Sequence, residues 1–287
     1  MCIRDREKTV SNKQVDERFW KPEVDASGNG YAVIRFLPAP DGETVPWAKV
    51  YSHAFQGPGG WYIENSLTTI GDKDPVGEVN RRLWNSGEDA DKDTARKQKR
   101  KLSYYSNILV VKDPKHPENE GKVFLYKYGK KIHDKILAAM QPEFQDETPV
   151  NVFDLWEGAN FKLKIKKVAG YWNYDSSEFD SVSALSADDD ELEAIWKKEH
   201  SLEAFTSKDQ FKTYEELENR LNLVLGIGQR PVARPVDESL EDLSEGLGYD
   251  HTADRFNEKA TAPSPVKKEA VVDDDDALSY FAKLAEE

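Results

Sequence analysis

From residue 161 to 166 the chain reads Phe-Lys-Leu-Lys-Ile-Lys, apolar and cationic side chains in strict alternation. A period of two is that of a β-strand. Phe161, Leu163 and Ile165 therefore share one face, and Lys162, Lys164 and Lys166 share the other. Such a strand needs a sheet covered on one side, and the rest of the central chain supplies one. Residues 31–37 form a strand candidate between the Gly28-Asn-Gly30 turn signal and Pro38, and Gly57-Pro-Gly-Gly60 separates strands at 47–55 and 61–64 as a hairpin. Residues 105–112 and 122–128 form the clearest strand pair, and 150–155 is a further strand candidate. Helical spacing predicts one helix over 131–140, a second from 189 to about 204, and a third over 213–225. The third opens on Thr213 and Glu216 at capping-box spacing and ends at Gly226. The two later helices are acidic, and their apolar stripes predict packing beside the sheet. Residues 71–95, rich in Asp, Gly and Asn, read as an insertion loop with a short helix near 79–84.

The implied fold class is α+β, mainly β: an OB-fold barrel core with an insertion subdomain, flanking helices and a disordered acidic C-terminal tail. The domain reading is an N-terminal arm over 1–18, a core over 19–228 with its insertion at 65–98, a flexible linker over 229–270 and an acidic tail over 271–287.

Charge is distributed unevenly. The 287-residue chain has a net charge of -14, but residues 96–131 carry 11 basic and 3 acidic side chains, a net of +8. Residues 178–218 and 237–287 carry net charges of -9 and -10. For a polyanionic partner the local patch matters more than the total. The single cysteine, Cys2, excludes a disulfide framework and a cysteine-based zinc site. No apolar run approaches the roughly 20 residues of a membrane span, so no membrane role is expected. The five histidines are scattered and no nucleophile motif or phosphate-cradling glycine loop appears, so no catalytic residue, metal or cofactor is expected.

The basic stretch is interleaved with aromatic residues. Lys99, Arg100 and Lys101 lead into Tyr104 and Tyr105, and Tyr126, Lys127, Tyr128, Lys130 and Lys131 follow. Tyr171, Trp172 and Tyr174 come just after the alternating strand. Cations that track phosphates and rings that stack on unpaired bases are what sequence-indifferent binding of a single strand requires. Tyr104, Tyr126 and Tyr171 are the expected stacking rings, and Tyr128 and Trp172 the expected core residues. Arg35, midway along its strand, either lines the groove or is a partly buried ion-pair partner; groove lining is the reading adopted. At the C-terminus Asp273, Asp274, Asp275 and Asp276 precede a helix-spaced stripe of Leu278, Phe281 and Leu284. This is a segment suited to folding onto a partner, or to occupying the basic groove as an anion. An RNA-binding OB-fold and an adaptor working mainly through the tail are the competing readings; a nuclease ranks last.

Several stretches resemble the single-stranded DNA-binding (helix-destabilising) proteins of T-even-type tailed phages, the gene 32 product family. They include Gly28-Asn-Gly-Tyr-Ala-Val-Ile-Arg-Phe-Leu-Pro38, Trp61-Tyr-Ile-Glu64, Asn107-Ile-Leu-Val-Val-Lys-Asp-Pro114, Pro117-Glu-Asn-Glu-Gly-Lys-Val-Phe124, Trp156-Glu-Gly-Ala-Asn-Phe161 and Thr206-Ser-Lys-Asp209. The resemblance implies an OB-fold that coats single strands in phage replication, recombination and repair in the host cytoplasm. It implies that Lys99, Arg100, Lys101, Tyr104, Tyr105, Tyr126, Tyr171 and Tyr174 face DNA. It also implies that the tail recruits polymerase, helicase loader and recombinase. Two departures stand out. The family's zinc subdomain uses one His and three Cys in the region matching 65–90, where this chain has Thr69-Ile-Gly71 and no cysteine. A zinc-free variant is therefore expected, its loop held by packing of Leu83 and Trp84. The family's basic N-terminal arm, which drives self-association along DNA, is poorly matched by Met1-Cys-Ile-Arg-Asp-Arg6, with Arg4, Arg6 and Lys8 as partial substitutes.

Overall fold

The computed structural model describes residues 16–144 and 146–227. In chain order these form β1 (Phe19–Trp20), β2 (Gly30–Phe36), β3 (Ala48–Gly57), β4 (Gly60–Asn65), α1 (Pro75–Asn85), α2 (Asp89–Lys97), β5 (Lys101–Lys112), β6 (Val123–Tyr128), α3 (Lys130–Met140), β7 (Ala159–Val168), β8 (Tyr171–Asn173), β9 (Glu178–Val182), α4 (Asp189–Trp196) and α5 (Tyr214–Leu225), with short 3-10 turns between some of them. The expected arm (apart from 16–18), linker and tail, including Asp273 to Leu284, lie outside the described residues. The class is mixed α+β and mainly sheet, as the patterning predicts.

The sheet order is β1-β6-β5-β2-β7-β8, with β3 on β5, β4 on β3 and β9 on β7. The β1–β6 pair is parallel and the other pairs are antiparallel. The alternation at 161–166 is realised in full: Phe161, Leu163 and Ile165 are buried in the main core, with Ala32, Ile34 and Phe36 of neighbouring β2. Each of the Phe, Leu and Ile side chains contributes about 1.5–3 kcal/mol on burial. α3 closes this core through Ile132 and Ile136.

β2 is central, between β5 and β7, and is covered on both faces. Its other face carries Arg35 and Leu37, and Leu37 packs with Leu109, Leu155, Leu192 and Ile195, the last two from α4. The acidic helix thus docks through its apolar stripe. α5 does the same elsewhere. Its Leu217, Leu221 and Val224 pack on Phe55, Tyr62, Leu67 and Val76, forming the core of a lobe built on the β3–β4 hairpin and α1. The Thr213–Glu216 capping box is present, and Gly226 ends α5 in the left-handed conformation at φ 70°. The hairpin tip fits against α5 because Gly59 has no side chain: a Cβ there would lie 1.9 Å from the Leu223 carbonyl oxygen.

Three expectations change. The stretch at 71–95 is two helices rather than a loop. Asp74 starts α1 by accepting from Val76 N and Gly77 N at 3.0 and 3.1 Å, with Pro75 in the first turn. Residues 150–155 are turns, not a strand, because Asp154 Oδ1 accepts from Trp156 N and Glu157 N at 2.8 and 2.7 Å and diverts the local backbone bonding. The helix expected to reach 204 stops at Trp196. Beyond it, Asn107 accepts from His200 N at 2.9 Å and donates to His200 O at 2.8 Å, pinning that backbone to β5.

Candidate nucleic-acid interface

The basic run meets the sheet where β5 begins. Residues 101–105 of β5 pair with β3, in the register Ser52↔Lys101, Tyr51↔Leu102, Lys49↔Tyr104 and Ala48↔Tyr105, and Tyr104 and Tyr105 also pair with β6 at Tyr128 and Lys127. Successive side chains point to opposite faces, so the run serves both sides of this sheet.

On one face Tyr105 stacks on Phe205 at 4.5 Å between ring centres and 12° between planes, with Phe19 edge-on at 6.0 Å. Lys127 Nζ lies 5.7 Å from the centre of the Tyr105 ring. Burial, then the charges of Lys101 and Lys21, push the Lys127 ammonium down to about 8. Burial, then Lys99, lowers Lys101 as well. On the other face the Arg100 guanidinium lies 4.2 Å from the centre of the Tyr51 ring and Lys49 Nζ 5.2 Å from it. Tyr104 stacks on His133 at 3.7 Å, and burial followed by Lys49 pushes the His133 imidazole down to about 4. Cations are gathered around aromatic rings and bear on one another. Burial and like charges disfavour the charged forms of Lys101 and Lys127.

The other expected site residues separate. Arg35 does not line a groove: it is fully buried, and its Nη2 donates to Asp154 O at 2.9 Å and Ser183 O at 2.8 Å. The α4 layer covers that face of β2, so the guanidinium serves as an internal clamp. Tyr104 and Tyr126, expected to stack on bases, are only 6% and 3% exposed and belong to the main core. Tyr128 is in the core as expected, its hydroxyl 2.9 Å from Ser106 Oγ. Trp172, expected in the core, is 42% exposed beside Tyr171 at 53%, at the β7–β8 turn. Tyr174 is half-buried against the main core, and burial pushes its hydroxyl up to about 12. Lys130 and Lys131 open α3, and Lys131 Nζ donates to Asp175 Oδ1 at 3.2 Å, tying the helix to the loop after β8.

The sequence reading missed Lys21, Lys49 and Tyr51. The alternation Lys49-Val50-Tyr51 within the strand expected at 47–55 carried the signal. Among the described residues no group of three or more His, Cys, Asp or Glu side chains is arranged to hold a metal, and no helix is long and apolar enough to cross a membrane.

The family described as "gp32 DNA binding protein like" matches residues 28–225. The single-stranded DNA-binding proteins of Enterobacteria phages T2 and T4 are each 42% identical to this chain over 252 residues, covering 85% of it and 82% of the relative. The single-stranded DNA-binding protein of Escherichia phage SV14 is 49% identical over 59 residues, 21% of this chain and 52% of that relative.

Proposed function

Because the chain belongs to the gp32-like family of DNA-binding proteins, a family of binding proteins rather than enzymes, we propose that it coats single-stranded DNA without reading its sequence. The observation that carries this reading is Lys127 beside the Tyr105 ring with Lys101 and Lys21 near enough to act on its charge, and Arg100 and Lys49 on Tyr51 across the same strands. Cations set the phosphate track, and each one engaged releases counterions. Rings beside them offer stacking, worth roughly 1–3 kcal/mol per base and indifferent to base identity. A duplex hides its base faces, so the unpaired strand is preferred.

In this reading Lys99, Arg100, Lys101, Tyr105, Lys127 and Lys130 meet the strand, with Lys21, Lys49 and Tyr51 added. Tyr171 and Trp172 extend the contact from the β7–β8 tip, with Tyr174 and Lys131 behind them. Tyr104 and Tyr126 support the site from the core. The largely antiparallel sheet with α3 across its core supports an OB-type barrel. In the same reading the protein is a phage protein acting on replicating, recombining and repaired DNA in the host cytoplasm. Its acidic tail, residues 271–287, would recruit replication proteins, and copies would associate along the strand.

Titration of the full chain with oligo-dT and with duplex of equal length, followed by tryptophan and tyrosine fluorescence, tests the reading. Quenching by oligo-dT that weakens steeply with salt is expected. Equal affinity for the duplex, or affinity unmoved by salt, contradicts it.

A further inference from the structure

In the lobe formed by the β3–β4 hairpin, α1 and α2, Leu83 and Trp84 are half-buried, and the Arg96 guanidinium of α2 lies 5.3 Å from the centre of the Trp84 ring. At the centre of the lobe is a tie of buried polar groups. His53 of β3 places Nε2 3.3 Å from Asp74 Oδ1 and Nδ1 2.9 Å from the Gln98 carbonyl oxygen. Asn80 of α1 donates to the same carbonyl at 3.2 Å. Asp74 Oδ1 also accepts from Val76 N and Gly77 N, and Oδ2 accepts from Ser66 Oγ at 2.8 Å and Leu67 N at 3.1 Å. His53, Ser66, Asp74, Asn80 and Gln98 are all buried.

This centre does not fit zinc. Both Asp74 oxygens are already committed to N–H and O–H donors, whose hydrogens point where a cation would have to sit, and the described residues contain no thiolate.

The tie has a second end. The β3–β5 ladder closes at Ser52↔Lys101, and His53 is the next residue along β3. Its side chain reaches past the ladder to Gln98, the residue before Lys99, Arg100 and Lys101. Gln98 N is in turn bonded to Thr94 O at the end of α2, at 3.1 Å. The three basic residues thus leave α2 from a carbonyl fixed by β3 and α1.

We propose that His53, Asp74 and Asn80 are positioning residues for strand binding, a metal-free tie that sets where Lys99, Arg100 and Lys101 present their charges. The claim about DNA rests on the proposed function above; the claim about the tie does not.

Three measurements on the full chain test it. First, metal analysis and thermal melting with and without a strong chelator should show no bound metal and no shift. A stoichiometric metal whose removal lowers the melting temperature overturns the metal-free tie. Second, in DNA-free protein, His53→Ala should speed amide exchange at Lys99, Arg100 and Lys101 by about tenfold, the scale of one hydrogen bond removed. Asn80→Ala, which removes a donor to Gln98 O, should act in the same direction if His53→Ala fails to fold. Unchanged exchange in both overturns the tie. Third, both variants should flatten the dependence of log K on log salt by about 0.7 for each cation misplaced. Leu221→Ala, which loosens the same lobe from α5, should lower the melting temperature and leave that slope alone. Equal flattening in all three reduces the tie to general stability and overturns the positioning role. A wild-type chain that binds no single strand removes the function and the positioning claim together, while exchange still decides the tie.

Discussion

β5 and β7 both carry lysines on a strand face, and they treat them in opposite ways. On β7, Lys162 lies 2.8 Å from Asp180 and Lys164 lies 2.6 Å from Glu178, both carboxylates on β9. The bond to Asp180 raises Lys162 above its ordinary value. At the start of β5 and across on β6, Lys101 and Lys127 are lowered by burial, then by other cations. The first arrangement is complete as folded. In the second, burial and like charges bear on the ammonium groups, and under the proposed function a bound polyanion would offset that repulsion. Lysine alternation marks a sheet face, and only the neighbours reveal which charges bear on it.

Arg35 gives the sharpest form of this contrast, a cation whose partners are wholly internal. Replacing it with Met leaves the carbonyls of Asp154 and Ser183 without these donors and is expected to cost about 3 kcal/mol of stability in denaturant unfolding. The salt slope of DNA binding should not move; a flattened slope with full stability would return Arg35 to the DNA face. Next in size, Lys101→Ala with Lys127→Ala should weaken oligo-dT binding about 25-fold at 0.1 M salt, the sum of two phosphate interactions at 0.7 log units each. Lys162→Ala with Lys164→Ala should change it less than about threefold on the same basis, as measured by fluorescence titration.

Tyr105→Ala should weaken binding by about 1–2 kcal/mol through one stacked base, and Tyr104→Leu, which removes the ring but keeps an apolar core side chain, should have no measurable effect. Equal effects would mean that the buried ring turns outward on binding. The smallest effect is on pH. With Lys127 at about 8, DNA favours its charged form, so affinity should fall by no more than about fivefold as pH rises from 7 to 9. Lys127→Arg should flatten that profile. Folding has the opposite sign. The folded Lys127 releases its proton before the unfolded one, whose ordinary value is about 10.4, so its contribution to stability should rise between pH 8 and 10 in pH-dependent unfolding.

Much of this was legible where one local rule decides. The 161–166 alternation specifies β7, and Thr213, Glu216 and Gly226 specify both ends of α5. The dense charge at 99–101 pointed to the candidate site. Arg35 was not legible: a strand buried on both faces shows no alternation, and its carbonyl partners lie 119 and 148 residues away. Tyr104 and Tyr105 are adjacent and chemically identical, so pattern says only that they face apart; α3 and His133 decide that Tyr104 is the inner one. The insertion's helices were hidden by polar composition, although Asp74-Pro75 is a helix start that reads locally.

The most direct test is the slope of log K against log salt on oligo-dT for the full chain and the two double variants. The slope should flatten by about 1.4 for Lys101→Ala with Lys127→Ala, about 0.7 for each phosphate-binding cation removed, and stay at the wild-type value for Lys162→Ala with Lys164→Ala. Equal flattening in both, or flattening only when the β7 lysines are removed, would place the phosphate track on the other strand and contradict this account.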